Sequence, residues 1–299
     1  MKSNFLNDIR RLTLGTAQFG GRYGVSNKSS ESVTIDEIER LLDYSFGHGI
    51  TNLDTAFNYG NSESILGEIG VNGFTITSKI TLDEVYPKNK QGKVVQGIER
   101  SLKRLKVSKL DTLLVHNPLA LDGQDADRLY ADLKLAQSSG MVQNLGISIY
   151  CPRAIKPIVN EFELDVIQAP CNPFDDRVER FLKAPSMSTT SFVIQIRSIF
   201  LQGLLLMCAE TRPSFFNRWQ DRLAKWDQWL IDNQISPLEA CVNFAFSREF
   251  VDKIVIGVES RNQLQNIVNI VNENSNQYPS DFAMNDDNFL DPFNWDLRA

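Results

Sequence analysis

Cysteine is scarce in this chain, with 4 in 299 residues and no C-x-x-C pair. Cys151, Cys171, Cys208 and Cys241 are therefore read as reduced thiols of a cytoplasmic protein, not as a zinc site or a disulfide framework. Histidine is scarcer still, with only His48 and His116, and no metal site is expected. No apolar run approaches the ~18 residues of a membrane span. The first eleven residues lack the apolar stretch of a secretory signal. Basic residues are scattered rather than clustered, and the net charge is −6. Neither a nucleic acid nor a membrane is expected as a partner.

What is present is alternation. Short apolar runs lie at 12–14, 51–53, 74–77, 112–115, 142–147, 166–167, 192–196 and 254–256. Helix-like stretches lie between and after them, at 35–46, 62–69, 94–105, 127–137, 154–160, 177–182, 215–231, 238–246 and 261–270. Such alternation implies parallel strands joined by right-handed crossovers. Eight units predict an α/β fold of the (β/α)₈ TIM-barrel type rather than an open sheet. An open dinucleotide fold would carry G-x-G-x-x-G after its first strand. Here Gly15-Thr16-Ala17-Gln18-Phe19-Gly20-Gly21 follows instead. No low-complexity linker divides the chain, so a single domain is expected, with a barrel over about 12–270. The tail, 271–299, reads as an irregular segment that packs back through Phe289, Phe293 and Trp295.

In a barrel, polar groups at the C-terminal ends of strands face the active-site mouth. Asp54 follows the second run, with Tyr59 five residues on. Lys79 follows the third run and His116 the fourth. A lone residue of this kind is more often a surface group or a structural histidine. Four at three neighbouring strand ends point to chemistry. A free tyrosine has a pKa of ~10, and a nearby ammonium favours its phenolate. Asp54 would hold Lys79, and His116 would orient a carbonyl oxygen by a hydrogen bond. The group suits proton transfer to a carbonyl while a cofactor delivers hydride.

These residues stand in motifs that resemble the aldo-keto reductases. The matching pieces are Leu14-Gly15-Thr16-Ala17, Asp54-Thr55-Ala56, Tyr59-Gly60, Ser62-Glu63, Leu66-Gly67 and Ser78-Lys79. They continue with His116-Asn117-Pro118, Gly146-Ile147-Ser148, Gln168-Ala169-Pro170, Gln202-Gly203-Leu204-Leu205 and Ile256-Gly257-Val258. The match runs in order over about residues 12–270. The resemblance implies a barrel that binds a nicotinamide cofactor without a Rossmann fold, and a small-molecule carbonyl substrate. It implies a catalytic tetrad of Asp54, Tyr59, Lys79 and His116. The implied cofactor contacts are Thr16, Asp54, Ser148, Gln168, Arg197, Ser198, Phe200, Gly203, Leu204, Gly257, Ser260 and Gln263. The implied substrate pocket is Phe19, Tyr23, Tyr59, His116 and Asn117.

Three positions depart from the family pattern. Ile149 stands where an asparagine usually assists Ser148 and Gln168 in holding the carboxamide. Arg197 replaces an aromatic that stacks on the nicotinamide. Glu259 stands where a cation usually meets a 2′-phosphate, with Arg261 close by. NADP is the family default, and NAD is the alternative that Glu259 raises.

Other features have plainer readings. Phe215, Trp219, Leu223, Trp226 and Leu230 recur at helical spacing and form a core stripe. His48 caps a helix C-terminus. The tail either lids the site or packs passively. Two other functions compete with a carbonyl reductase: a nicotinamide-binding regulatory subunit that senses redox state without turnover, and a barrel lyase using Lys79 as a Schiff base. The full tetrad disfavours the first, and the Asp54 and Tyr59 partners with the Gly257 segment disfavour the second.

Overall fold

The computed structural model describes residues 8–21, 33–81, 93–184, 192–273, 275 and 277–296. Eight parallel strands close into a barrel in sequence order: β1 (Leu12–Gly15), β2 (Asn52–Asp54), β3 (Thr75–Ile80), β4 (Leu110–Val115), β5 (Val142–Ser148), β6 (Val166–Pro170), β7 (Val193–Arg197) and β8 (Lys253–Gly257). The helices that cover it are α1 (Ile35–Gly47), α2 (Ser62–Ile69), α3 (Lys93–Leu105), α4 (Ala126–Ser138), α5 (Lys156–Glu161), α6 (Arg177–Leu182), α7 (Gln220–Asn233), α8 (Pro237–Phe246) and α9 (Arg261–Glu273). A short α10 (Asp287–Leu290) lies in the tail. This is the eight-unit barrel that the alternation predicts. Among the described residues, no helix is long and apolar enough to cross a membrane.

Local chemistry starts the helices. Thr34 accepts a hydrogen bond from the Glu37 amide at the head of α1, and Ser236 does the same for Glu239 at α8. Both are S/T-x-x-E capping sequences, and Pro237 adds a preset φ at the first helical position. At the other end of α1, His48 caps, and its Nδ1 lies 2.8 Å from the Tyr44 carbonyl. Arg11, buried beneath the barrel, donates to the carbonyls of Phe246, Arg248 and Val251. It thereby ties the end of α8 to the first strand.

Register decides which polar groups share a layer. Ser148 pairs with Gln168, and Gln168 with Gln195. Gly15 pairs with Asp54, and Asp54 with Thr77. Since side chains alternate along a strand, Lys79 lies on the same face as Thr77, one layer nearer the mouth.

Two expectations need correction. The stretch 215–231 is not one helix. A 3-10 segment, Ser214–Trp219, ends where Trp219 adopts φ −117°, and only then does α7 begin. The apolar period continues through both, which hides the break from the sequence. Leu223, Trp226 and Leu230 do form a buried stripe, in a second core with Phe174, Phe216 and Phe289. The tail is also less irregular than expected: α9 runs on to Glu273, and Asp286 and Asp291 each cap a short helical turn. Phe289 is fully buried, and Trp295 meets Phe216 at 4.9 Å between ring centroids. Phe293 departs from the expectation, being 80% exposed, and touches Tyr150 with a 5.0 Å centroid separation.

Candidate active site

Asp54 ends β2 and is buried. Lys79, one strand over and fully buried, donates Nζ to Oδ1 of Asp54 and, at 2.8 Å, to the Thr55 carbonyl. Burial drives the Lys79 pKa down, and the Asp54 carboxylate opposes that shift. The same Nζ lies 4.9 Å from the centroid of the Tyr59 ring. Tyr59 is half-buried, and His116, just past β4, meets its ring edge-on with 6.0 Å between centroids. The four residues at three strand ends therefore converge in space. Burial pushes the His116 pKa down to about 3, assisted by the positive charges of Lys79 and Arg197. The imidazole is neutral near neutral pH.

A cavity of about 380 Å³ opens from this cluster. Asp54, Tyr59 and Arg197 line it, as do Ser198, Phe200 and Gly203 beyond β7. Thr16, Gln18, Gly257, Glu259 and Gln263 line it too. The β7 loop is strained where it borders the cavity: Ser198, Leu201 and Gln202 have φ of 56°, 48° and 56°, ahead of Gly203 at 92°. Non-glycine residues held at positive φ persist only where surrounding structure compels them, and they concentrate at ligand sites.

Several expected contacts lie elsewhere. Ser148 and Gln168 are buried and do not line the cavity. Ser148 donates to Oε1 of Gln168, whose Nε2 in turn donates to Oδ2 of Asp54 at 2.6 Å and to Gln195 at 3.1 Å. In this structure the pair braces Asp54 and is not directed at the cavity. Phe19 is 1% exposed and packs in the main apolar core, not on the pocket wall. At Leu204 the expected contact is through the backbone, beside Gly203; its side chain packs in the second core. Ser260 accepts from the Gln263 amide at the head of α9 and does not reach the wall. Asn117 precedes a 3-10 turn and is not on the wall either. Tyr23 lies outside the described residues.

Glu259 and Arg261 part company. Glu259 is on the cavity wall, and partial burial raises its pKa. Arg261 turns to α1, with its guanidinium 5.2 Å from the Tyr44 ring centroid and its amide on Glu37. Arg197 donates to the Ile149 carbonyl at 3.0 Å and to the Ser198 hydroxyl at 3.2 Å, and stacks 4.0 Å over Tyr150.

Sequence reasoning missed Gln195 and Tyr150, and quoted Glu63 in a motif without giving it a role. Gln195 had a signal: it is polar inside an apolar strand and shares a face with Arg197. Glu63 is buried at the start of α2 and accepts from Ser78 at 2.7 Å, with Arg104 at 3.4 Å. Its field supports the charge on Lys79. Tyr150 had no local signal.

A closed parallel barrel with an Asp–Lys–Tyr–His cluster at its mouth defines a class, and the family model for the aldo/keto reductase family matches residues 11–282. The chain belongs to that family of oxidoreductases. It is 29% identical over 185 residues to aldo-keto reductase YhdN of Bacillus subtilis, covering 58% of this chain and 53% of that one. D-arabinose 1-dehydrogenase of Saccharomyces cerevisiae is 26% identical over 157 residues, 48% of this chain and 44% of that enzyme. The chain thus matches about half the length of these curated relatives. Among solved structures, the holo form of aldo-keto reductase AKR11C1 from Bacillus halodurans superposes with a TM-score of 0.69. The identity is 18%, over 87% of this chain and 86% of that one. A likeness at that identity speaks for the fold.

Proposed function

We propose that the chain is a nicotinamide-dependent oxidoreductase that reduces an aldehyde or ketone to an alcohol, with Tyr59 as proton donor. One observation carries the reading: the Asp54–Lys79 ion pair lies under the Tyr59 ring, beside a neutral His116, where the cavity begins. The cavity suits a dinucleotide, because its wall combines hydroxyl and amide side chains with the strained Ser198–Gly203 loop. A bound nicotinamide would supply the hydride, which no side chain can provide.

The chain's own groups handle the proton. Tyr59 donates it to the carbonyl oxygen. The Lys79 charge, sustained by Asp54, favours the phenolate left behind. His116 is neutral, so it serves by donating a hydrogen bond that fixes the carbonyl oxygen, not as an acid. Gln168 and Ser148 hold Asp54 still. Such a set supports turnover, where a sensing subunit would need only the cavity.

The cofactor reading moves from the family default of NADP toward NAD. Glu259 on the wall disfavours a 2′-phosphate and suits a ribose hydroxyl, while Arg261 is committed to Tyr44. The test is Tyr59→Phe, assayed with an aldehyde and reduced cofactor. Turnover is expected to fall by roughly 10²- to 10⁴-fold, the usual worth of a positioned acid, with cofactor affinity retained. Undiminished turnover would refute the assignment.

A further inference from the structure

We propose that Gly20 is a positioning residue for the proton donor, because its lack of a side chain seats the loop after β1 directly on the Tyr59 peptide. The inference rests on the reading above, in which Tyr59 gives up the proton. Gly20 is not on the cavity wall, whereas Tyr59 is. Gly20 therefore acts through Tyr59 and not through a ligand.

Two glycines face each other at this contact. A Cβ on Gly20 would overlap the Tyr59 carbonyl and stand 2.9 Å from the Ser62 amide nitrogen. A Cβ on Gly60 would overlap the Gly20 carbonyl. Both obstacles are main chain, not the flexible end of a side chain. Gly20 has φ −94°, which any residue adopts, so space and not backbone conformation demands glycine there. Gly60, at φ 53°, answers both demands. Gly21, next along the chain, has nothing within 4 Å of an added Cβ.

The frame on either side of Tyr59 is locked. Phe19 is buried in the main core, and Thr16 donates its amide and its hydroxyl to the Asp54 carbonyl. The Ser62 hydroxyl donates to Thr16 at 2.8 Å, which joins α2 to the same loop. Glu63 holds α2 on Ser78, and Gly67 packs so closely on the Arg104 carbonyl of α3 that a Cβ would overlap it. The Phe57 amide donates to the Lys79 carbonyl at 2.9 Å. Between Phe57 and Ser62 lies a short arc in which Asn58, Gly60 and Asn61 are exposed. A side chain at position 20 would push that arc rather than its frame. The Tyr59 ring would then leave its place 4.9 Å from the Lys79 ammonium, with which the phenolate is stabilised. Relieving the overlap takes a shift on the order of 1 Å, and a misplacement of that size can cost about 10²-fold in rate.

The test compares Gly20→Ala, Gly21→Ala and Tyr59→Phe in the full chain. The assay uses NADH or NADPH with the fastest-reduced of 4-nitrobenzaldehyde, butanal and a free aldose. Calorimetric titration with the nucleotide counts sites, so turnover is expressed per folded site. Gly20→Ala should lower kcat about 10²-fold, with KM for the carbonyl and Kd for the nucleotide moved by less than about threefold. Gly21→Ala should change none of the three by more than about threefold. Added to Tyr59→Phe, Gly20→Ala should cost less than about threefold more, because groups that act as a unit are not additive. Gly60→Asn crowds the same contact from the other side with a residue that accepts positive φ, and should repeat the kcat loss where Gly20→Ala does not fold. The inference is overturned by undiminished kcat in a folded variant of this pair, or by losses that multiply with Tyr59→Phe. Equal loss of nucleotide affinity, or absence of folded protein in both variants, overturns it too. Undiminished turnover in Tyr59→Phe, or no reduction of any of the three carbonyls by the unmodified protein, overturns the reading on which it rests.

Discussion

Gln168 on β6 donates a 2.6 Å hydrogen bond to Oδ2 of Asp54 on β2. Strands β2 and β6 are not neighbours in the closed order, so this bond crosses the barrel interior. It occupies the carboxylate oxygen that Lys79 does not. Gln168→Leu would leave that oxygen buried without its donor. The expected loss is about 1–3 kcal/mol, the desolvation cost of an unsatisfied buried group. Urea unfolding should show a lower midpoint at unchanged slope. An unshifted midpoint means that Gln168 does not brace Asp54.

The Asp54–Lys79 pair should behave as a unit. Lys79→Met strands a buried carboxylate and should cost about 3–5 kcal/mol. Adding Asp54→Asn removes the stranded charge and should recover most of that loss, a coupling that a double-mutant cycle measures. Additive losses would show that the pair is not coupled in solution. Activity should vanish in both variants whatever the stability outcome, because neither keeps a cation beneath Tyr59.

The sequence shows local features well and cross-barrel ones poorly. Eight strands are legible because each is an apolar run bounded by a helix-like period. Asp54, Lys79 and His116 are legible because each directly follows such a run. The Ser148–Gln168–Gln195 chain is not, because it depends on register between strands 20 to 27 residues apart. Family resemblance alone put Ser148 and Gln168 on a cofactor, and only the fold brings them to Asp54. Phe19 shows a different limit. An aromatic in a loop has the same local pattern whether it lines a pocket or turns into the core. The separation of Glu259 from Arg261 is of this kind too, since it depends on where α1 presents Tyr44.

His116 sets a pH dependence whose sign follows from burial. Its ordinary value of 6.5 is pushed down to about 3 in the folded chain. Between those values the unfolded chain binds a proton that the folded chain does not. Stability therefore falls as pH drops from about 6.5 toward 3, by at most about 5 kcal/mol from this residue. His116→Asn should flatten that part of the profile when urea midpoints are compared at about pH 7 and about pH 4.5. The rate profile should carry no inflection from His116 near its ordinary value. A histidine-like inflection that disappears in His116→Asn would show that the imidazole titrates in the working range.

Phe289 tests whether the tail is part of the fold. Its ring is buried, 5.4 Å from Phe174 and 5.2 Å from Trp219 between centroids. Phe289→Ala should cost about 3–5 kcal/mol, as for other buried aromatic truncations. The exposed Phe293 should cost within about 0.5 kcal/mol on the same change. Equal effects at the two positions would mean that the tail is not docked through Phe289.

Cofactor choice should follow Glu259 and not Arg261. Glu259 is on the cavity wall, and its amide is held by Oε1 of Gln263 at 2.8 Å. Arg261 is anchored on α1 through Glu37 and Tyr44. Glu259→Lys replaces a repulsive carboxylate with a cation where a 2′-phosphate would lie. The ratio of kcat/KM for NADPH over NADH should rise at least tenfold, equivalent to about 1.4 kcal/mol. Arg261→Ala should move that ratio by less than about threefold, since a side chain held on Tyr44 contributes little at the cavity. If Arg261→Ala abolishes use of NADPH while Glu259→Lys changes nothing, the guanidinium leaves Tyr44 when cofactor binds. The preference would then revert to NADP.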